Sequence, residues 1–136
     1  IIGNWDNDKY GVDLKNIYSH YNNMYLIDAV YDTNKLNYLR SKCKIYIHGH
    51  SAGGTNPALV EAMNLGLPIF AFSSGFNEYT THGEAKYFSS SYELKKLINN
   101  INNEVLVDIG NKMKKIALKN YSWAGISKKY EKLINL

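Results

Sequence analysis

The chain has 136 residues, 45% of them hydrophobic and 21% charged, which suits one globular domain and excludes a disordered chain. Ten Gly, two Pro and a single Cys exclude a collagen-like repeat, an internal disulfide framework and a Cys-based zinc site. The net charge of +4 is uneven: residues 112–132 carry seven Lys against one Glu, a local +6, so the remainder sums to −2.

Ile1-Ile2 reads as the end of a buried strand, followed by a polar turn over residues 3–8. Lys9 to Tyr21 is predicted helical, with Leu14, Ile17, Tyr18 and Tyr21 on one side. Met24 to Val30 reads as a strand, and Asp32 or Thr33 caps a helix carrying Leu36 and Leu39. Lys44 to His48 is a further strand, and a loop of small residues runs from Gly49 to Thr55. Asn56 then suits an N-cap and Pro57 a first helical residue, in a helix using Leu59, Val60 and Met63 and ending at Gly66. Pro68 to Phe72 is a short buried strand and Ala85 to Phe88 a weaker one. Residues 91–102, 104–119 and 122–135 read as amphipathic helices, the last with Trp123, Ile126, Tyr130 and Leu133 at helical spacing.

Strands alternate with helices through residue 88, and the strands are apolar throughout. That pattern predicts a doubly wound α/β domain whose parallel sheet is covered on both faces. Such sheets bind ligands at the carboxyl ends of their strands, beside helix N-termini. No internal repeat is visible, and no run approaches the ~18 apolar residues of a membrane span. The basic C-terminal residues fit either a solvated helix face or a surface toward anionic membrane lipid. Arg40 is the single Arg and the twelve Tyr are scattered, which is not the pattern of a nucleic-acid reader.

The stretch richest in chemistry is His48-Gly-His50-Ser-Ala-Gly53-Gly54-Thr55-Asn56-Pro57-Ala-Leu-Val-Glu61-Ala-Met63. It joins a strand end to a helix start. Gly53 and Gly54 lack a Cβ, so backbone N–H groups can approach a ligand, and the helix start adds partial positive charge suited to phosphate. Glu61 leans back toward that mouth, where a carboxylate can accept hydrogen bonds from a ribose diol. The same features also fit an ordinary strand–loop–helix junction with a surface Glu.

Glu61-Ala-Met63-Asn-Leu-Gly66-Leu-Pro68-Ile69 resembles the donor-binding helix of retaining glycosyltransferases of family 4, whose motif E-x7-E ends on the Glu of L-E-A-M-A-x-G-x-P-V. The longer string from His48 to Met63 is similar to a bacterial subgroup of rhamnosyltransferases. Ile1-Ile2-Gly3-Asn4 resembles the V-x-G-x-G turn of that domain, and Tyr121-Ser-Trp123 with Ile126 and Tyr130 its closing helix. The resemblance implies a Rossmann-like C-terminal half of a GT-B glycosyltransferase, residues 1–120 forming the nucleotide-sugar-binding domain and 121–136 the closing helix. It implies a nucleoside-diphosphate sugar donor, with transfer of a sugar such as rhamnose, with retention, to a saccharide or lipid-linked saccharide of bacterial surface polysaccharide. No cofactor and no metal is expected, and the enzyme is expected in the cytoplasm or at the inner face of the membrane, where a peripheral contact would form.

The donor-binding residues so implied are Glu61, Gly53, Gly54, Thr55, Asn56, His48 and His50, the catalytic residues being unassigned. Two departures matter. The first Glu of E-x7-E falls at Gly53, so backbone groups of Gly53, Gly54 and Thr55 are expected to replace it. The family's first strand and helix, with an Arg and a Lys for the diphosphate, would precede Ile1, as would the acceptor domain. The chain, which starts without Met, is therefore expected to be a part of a longer enzyme and inactive alone. The strands at residues 1–3 and 44–48 are then expected to close the gap, or another chain to fill it. Neither Arg40 nor any Lys lies inside the Gly53–Glu61 loop and helix start, so the loop N–H groups are expected to hold the diphosphate largely alone.

Three further features are weighed. His48 and His50 form a pair at a strand end, suited to hydrogen bonding in the cleft, to loop packing or, with a third partner, to metal; His20 and His82 are remote in sequence. Cys43, between Lys42 and Lys44, is expected to be a buried or half-buried structural thiol. Glu78 fits either the cleft or the place of a capping or surface Glu. Outside the enzymes of this class, a sugar-nucleotide epimerase of the same fold and a noncatalytic flavodoxin-like binding module are the alternatives. A receiver module would want clustered acids at strand ends, of which Asp28 and Asp32 offer little.

Overall fold

Helix caps written into the sequence set most element boundaries. The computed structural model describes residues 1–134; Asn135 and Leu136, the former the end of the last expected helix, lie outside the described residues. The chain divides into two units, Ile1–Leu39 and Arg40–Leu136.

In the first unit, β1 (Ile2–Gly3) pairs in parallel with β2 (Ile27–Asp28), Ile2 opposite Ile27 and Gly3 opposite Asp28. Trp5 is the buried centre, and its indole N–H donates to the Ile27 carbonyl at 2.9 Å. Asp8 caps α1 (Lys9–Tyr18), its carboxylate accepting from the Gly11 N–H at 2.7 Å. Gly11 is required there, because a Cβ would stand 2.4 Å from the Trp5 carbonyl oxygen. Two expectations fail in this unit. The strand predicted over 24–30 shrinks to two residues, both exposed, because β1 offers a partner only two residues long. The predicted apolar side of α1 holds no buried residue, and Ile17 and Tyr21 are more than half exposed. Asp32 precedes α2 (Thr33–Ser41) and accepts from the Asn34 and Lys35 N–H groups, the capping role predicted for it.

The second unit holds a three-stranded parallel sheet in the order β3 (Tyr46–His48), β4 (Ile69–Phe72), β5 (Lys86–Phe88). His48 stands opposite Ala71, and Phe72 opposite Phe88. Ile69, Phe70 and Ala71 are fully buried, and successive strand residues face opposite ways, so β4 is covered on both faces. The coverage does not extend to β3, where Ile47 is half exposed. The strands at 1–3 and 44–48, expected either to close the gap or to leave it to another chain, do not pair and belong to different sheets.

Asn56 caps α3 (Pro57–Asn64), which buries Leu59, Ala62 and Met63. The helix closes on Gly66 at φ +72°, with the Leu67 N–H reaching back to the Ala62 carbonyl. After β4 comes α4 (Gly75–Thr81), a helix the periodicity does not reveal. Gly75, Asn77, Thr80 and Thr81 all form helices weakly. Its buried residues are instead tied internally, the Thr81 hydroxyl donating to the Asn77 carbonyl at 2.7 Å. The last three helices are α5 (Ser91–Asn100), α6 (Asn103–Asn120) and α7 (Trp123–Ile134), close to expectation. Leu106, Ile109, Met113 and Ala117 of α6 join α3 and β4 in the core. No residue of α7 is buried, and Trp123 is 84% exposed.

Candidate functional site

The carboxyl ends of β3 and β4 bring two loops together. Asn77, the first buried residue of α4, is 3% exposed and its side-chain amide donates to the carbonyls of His50 and Phe72, both at 2.9 Å. One side chain thus ties the loop leaving β3 to the end of β4. Nearby, Thr80 donates its hydroxyl to the Phe76 carbonyl at 2.8 Å and lies 3.4 Å from the Thr55 hydroxyl. Neither Asn77 nor Thr80 was singled out by the sequence, since both sit in the helix that periodicity misses.

Within the loop, Gly53 takes φ +101°, a conformation that favours glycine, and a Cβ there would lie 3.5 Å from His50 Nε2. A Cβ on Gly54 would meet nothing within 4 Å. Residues 49–55 are all exposed. Asn56 uses its side-chain oxygen to accept from the Ala58 N–H at 2.9 Å, so its part in the site is to cap α3. The loop therefore presents a bare backbone leading into a capped helix start of positive partial charge.

Tyr46, His48 and His50 share one face of the strand and its extension, with ring centroids 6.1 and 5.9 Å apart in succession. His48 is 5% exposed, and its Nε2 has no hydrogen-bond partner among the described residues. Burial, then the neighbouring His50, hold its pKa below the usual imidazole value. His48 is thus a neutral ring with an unpaired buried nitrogen, an uncommon and costly state.

Glu61 is 53% exposed by side chain, as a ligand-facing carboxylate should be, but it is not alone. Arg40 Nη1, on the last turn of α2, bonds its Oε2 at 2.5 Å while its own side chain is only 15% exposed. No cation lies within the Gly53–Glu61 segment of the sequence, and the fold brings Arg40 to its last residue. Tyr46 belongs to the same group: burial raises its phenol pKa, the Arg40 charge lowers it and the Glu61 charge raises it.

The remaining candidates fall elsewhere. Glu78 lies exposed in the first turn of α4 and accepts from the Ser73 hydroxyl at 2.9 Å, while Ser74 caps the helix. Cys43 is exposed, contrary to expectation, because it follows the end of α2 in the short link to β3. His82 ends α4 in the left-handed conformation at φ 53°, 3.5 Å from the Asn120 side-chain amide. Among the described residues no three His, Cys, Asp or Glu side chains are grouped to hold a metal. A cavity of about 450 Å³ opens along Lys86, Glu93, Lys96 and Ile101, at the amino end of β5; none of the loop residues lines it. The loop instead lies beyond the carboxyl end of β3, the end of a parallel sheet at which ligands bind in such folds.

The strands of the second unit form a Rossmann-like parallel α/β arrangement, with a glycine loop beyond the carboxyl end of β3. The chain is similar to Anabaena Alr3699/HepE, whose crystal structure is a complex with UDP-glucose, at a TM-score of 0.74 and 20% identity. The match covers 99% of this chain and 40% of HepE, so the chain spans less than half the length of that protein. No protein-family model matches the chain, and no curated protein matches it. No helix among the described residues is long and apolar enough to cross a membrane.

Proposed function

We propose that this chain binds the nucleoside-diphosphate sugar donor of a glycosyltransferase. The observation that carries the reading is the bare Gly53-Gly54 backbone running into the capped start of α3, with Glu61 about one turn on, in a chain that shares its fold with a UDP-glucose complex. The N–H groups of Gly53, Gly54 and Thr55 hold the diphosphate, Asn56 fixes the helix start, and Glu61 accepts from the ribose hydroxyls. His48 and His50 border the sugar. The motif from His48 to Met63 favours rhamnose as the sugar, transferred with retention to a saccharide or lipid-linked saccharide of bacterial surface polysaccharide. Residues 1–120 act as the donor-binding domain and 121–136 as its closing segment.

A thermal-shift panel on the full-length protein tests this, using UDP- and dTDP-sugars, the bare nucleotides, flavin mononucleotide and phosphate. Sugar nucleotides are expected to raise the melting midpoint most. Stabilisation by flavin or phosphate, with none by any sugar nucleotide, would instead identify a flavodoxin-like module. Conversion of the sugar with no acceptor present would identify an epimerase.

A further inference from the structure

We propose that Arg40 is the positioning residue for Glu61: its guanidinium holds one carboxylate oxygen so that the rest of the carboxylate is presented to a ribose diol. The inference rests on the donor-site reading and deepens it.

Arg40 is the chain's single Arg among fifteen Lys, and it is spent at this point rather than on the basic C-terminal helices. Its side chain is largely covered, while Glu61, its partner across 21 residues of sequence, is half open to solvent. The contact is therefore anchored on the Arg side and free on the Glu side. A half-exposed Glu on its own samples several rotamers, and ordering it on binding costs entropy. A planar guanidinium bonded to Oε2 fixes the carboxylate beforehand and leaves its outer side for hydroxyl donors. The charge argument points the same way. A bare carboxylate about one turn from a phosphate-binding helix start would repel the anion, and Arg40 neutralises it. Both charges also act on the Tyr46 phenol.

A merely structural ion pair would affect stability and leave hydroxyl recognition alone, which makes the two roles separable. The experiment is titration calorimetry of UDP and of 2′,3′-dideoxy-UDP with the full-length protein. The variants are Arg40→Met, Arg40→Lys, Glu61→Gln and the Arg40→Met/Glu61→Gln double. Arg40→Lys keeps the charge and the stem, and so remains informative if Arg40→Met does not fold. The wild type is expected to prefer UDP over the dideoxy form. Arg40→Met is expected to weaken UDP roughly tenfold, the loss of one charged hydrogen bond, and to leave the dideoxy form nearly unchanged. Arg40→Lys should fall between wild type and Arg40→Met. In the Glu61→Gln background, Arg40→Met should cost no more than about twofold, because the two residues act as one unit. Equal weakening of both nucleotides, in both backgrounds, would show Arg40 acting on phosphate directly and overturn the proposal. So would unchanged UDP affinity in Arg40→Met and Arg40→Lys while Glu61→Gln weakens it. If Glu61→Gln itself leaves UDP binding and hydroxyl preference intact, the ribose role of Glu61 fails first, and this inference with it.

Discussion

His48 is the residue through which pH should act on this fold. Its ring is buried with Nε2 unpaired, and burial and the His50 charge keep its folded pKa below the ordinary 6.5. The unfolded chain therefore takes up a proton at a higher pH than the folded one. Stability from this group is complete above about pH 6.5 and is lost as pH falls through the folded value. Thermal denaturation between about pH 5 and 8 should show a midpoint that drops on the acid side. His48→Gln, which cannot titrate, should flatten that drop, whereas identical slopes in the two proteins would show that the ring is not the sensor. His48 and Glu61 were legible in the sequence because the local string from His48 to Met63 carries both. Arg40 and Asn77 were not, since their partners Glu61 and His50 lie 21 and 27 residues away and no local pattern announces such a meeting.

At the scale of elements, the close approach of α6 to the end of α3 is the feature most sensitive to a single atom. A Cβ on Gly110 would stand 2.4 Å from the Gly66 carbonyl oxygen, a backbone atom that cannot swing aside. Ala improves helix propensity by up to about 1 kcal/mol, but overpacking of this kind costs about 1–3 kcal/mol, so the clash should win. Gly110→Ala should lower the melting midpoint by several degrees. Gly54→Ala, where a Cβ meets nothing within 4 Å, should leave it in place; a stable Gly110→Ala protein would mean the two helices are free to separate. The helices with caps were readable: Asn56-Pro57 opens α3, and Gly66 closes it. α4 was not, because buried Asn77, Thr80 and Thr81 hold it through hydrogen bonds that leave no apolar stripe. The strand over 24–30 was overdrawn for the opposite reason, since its apolar run is real but its ladder partner is only two residues long.

For the molecule as a whole, the alternation of strands and helices announced a parallel α/β fold, and the fold likeness to HepE agrees. What the alternation could not convey is that the strands divide between two sheets, because ladder partners depend on contacts far apart in sequence. The central claim is where the ligand sits: at the carboxyl end of β3 and the start of α3. Amide chemical shifts followed by NMR during titration with UDP-glucose test this directly. The account predicts the largest changes at Gly53, Gly54, Thr55 and Ala58, followed by Glu61. Changes confined to the cavity along Lys86 and Lys96, or none at all while the protein stays folded, would contradict it.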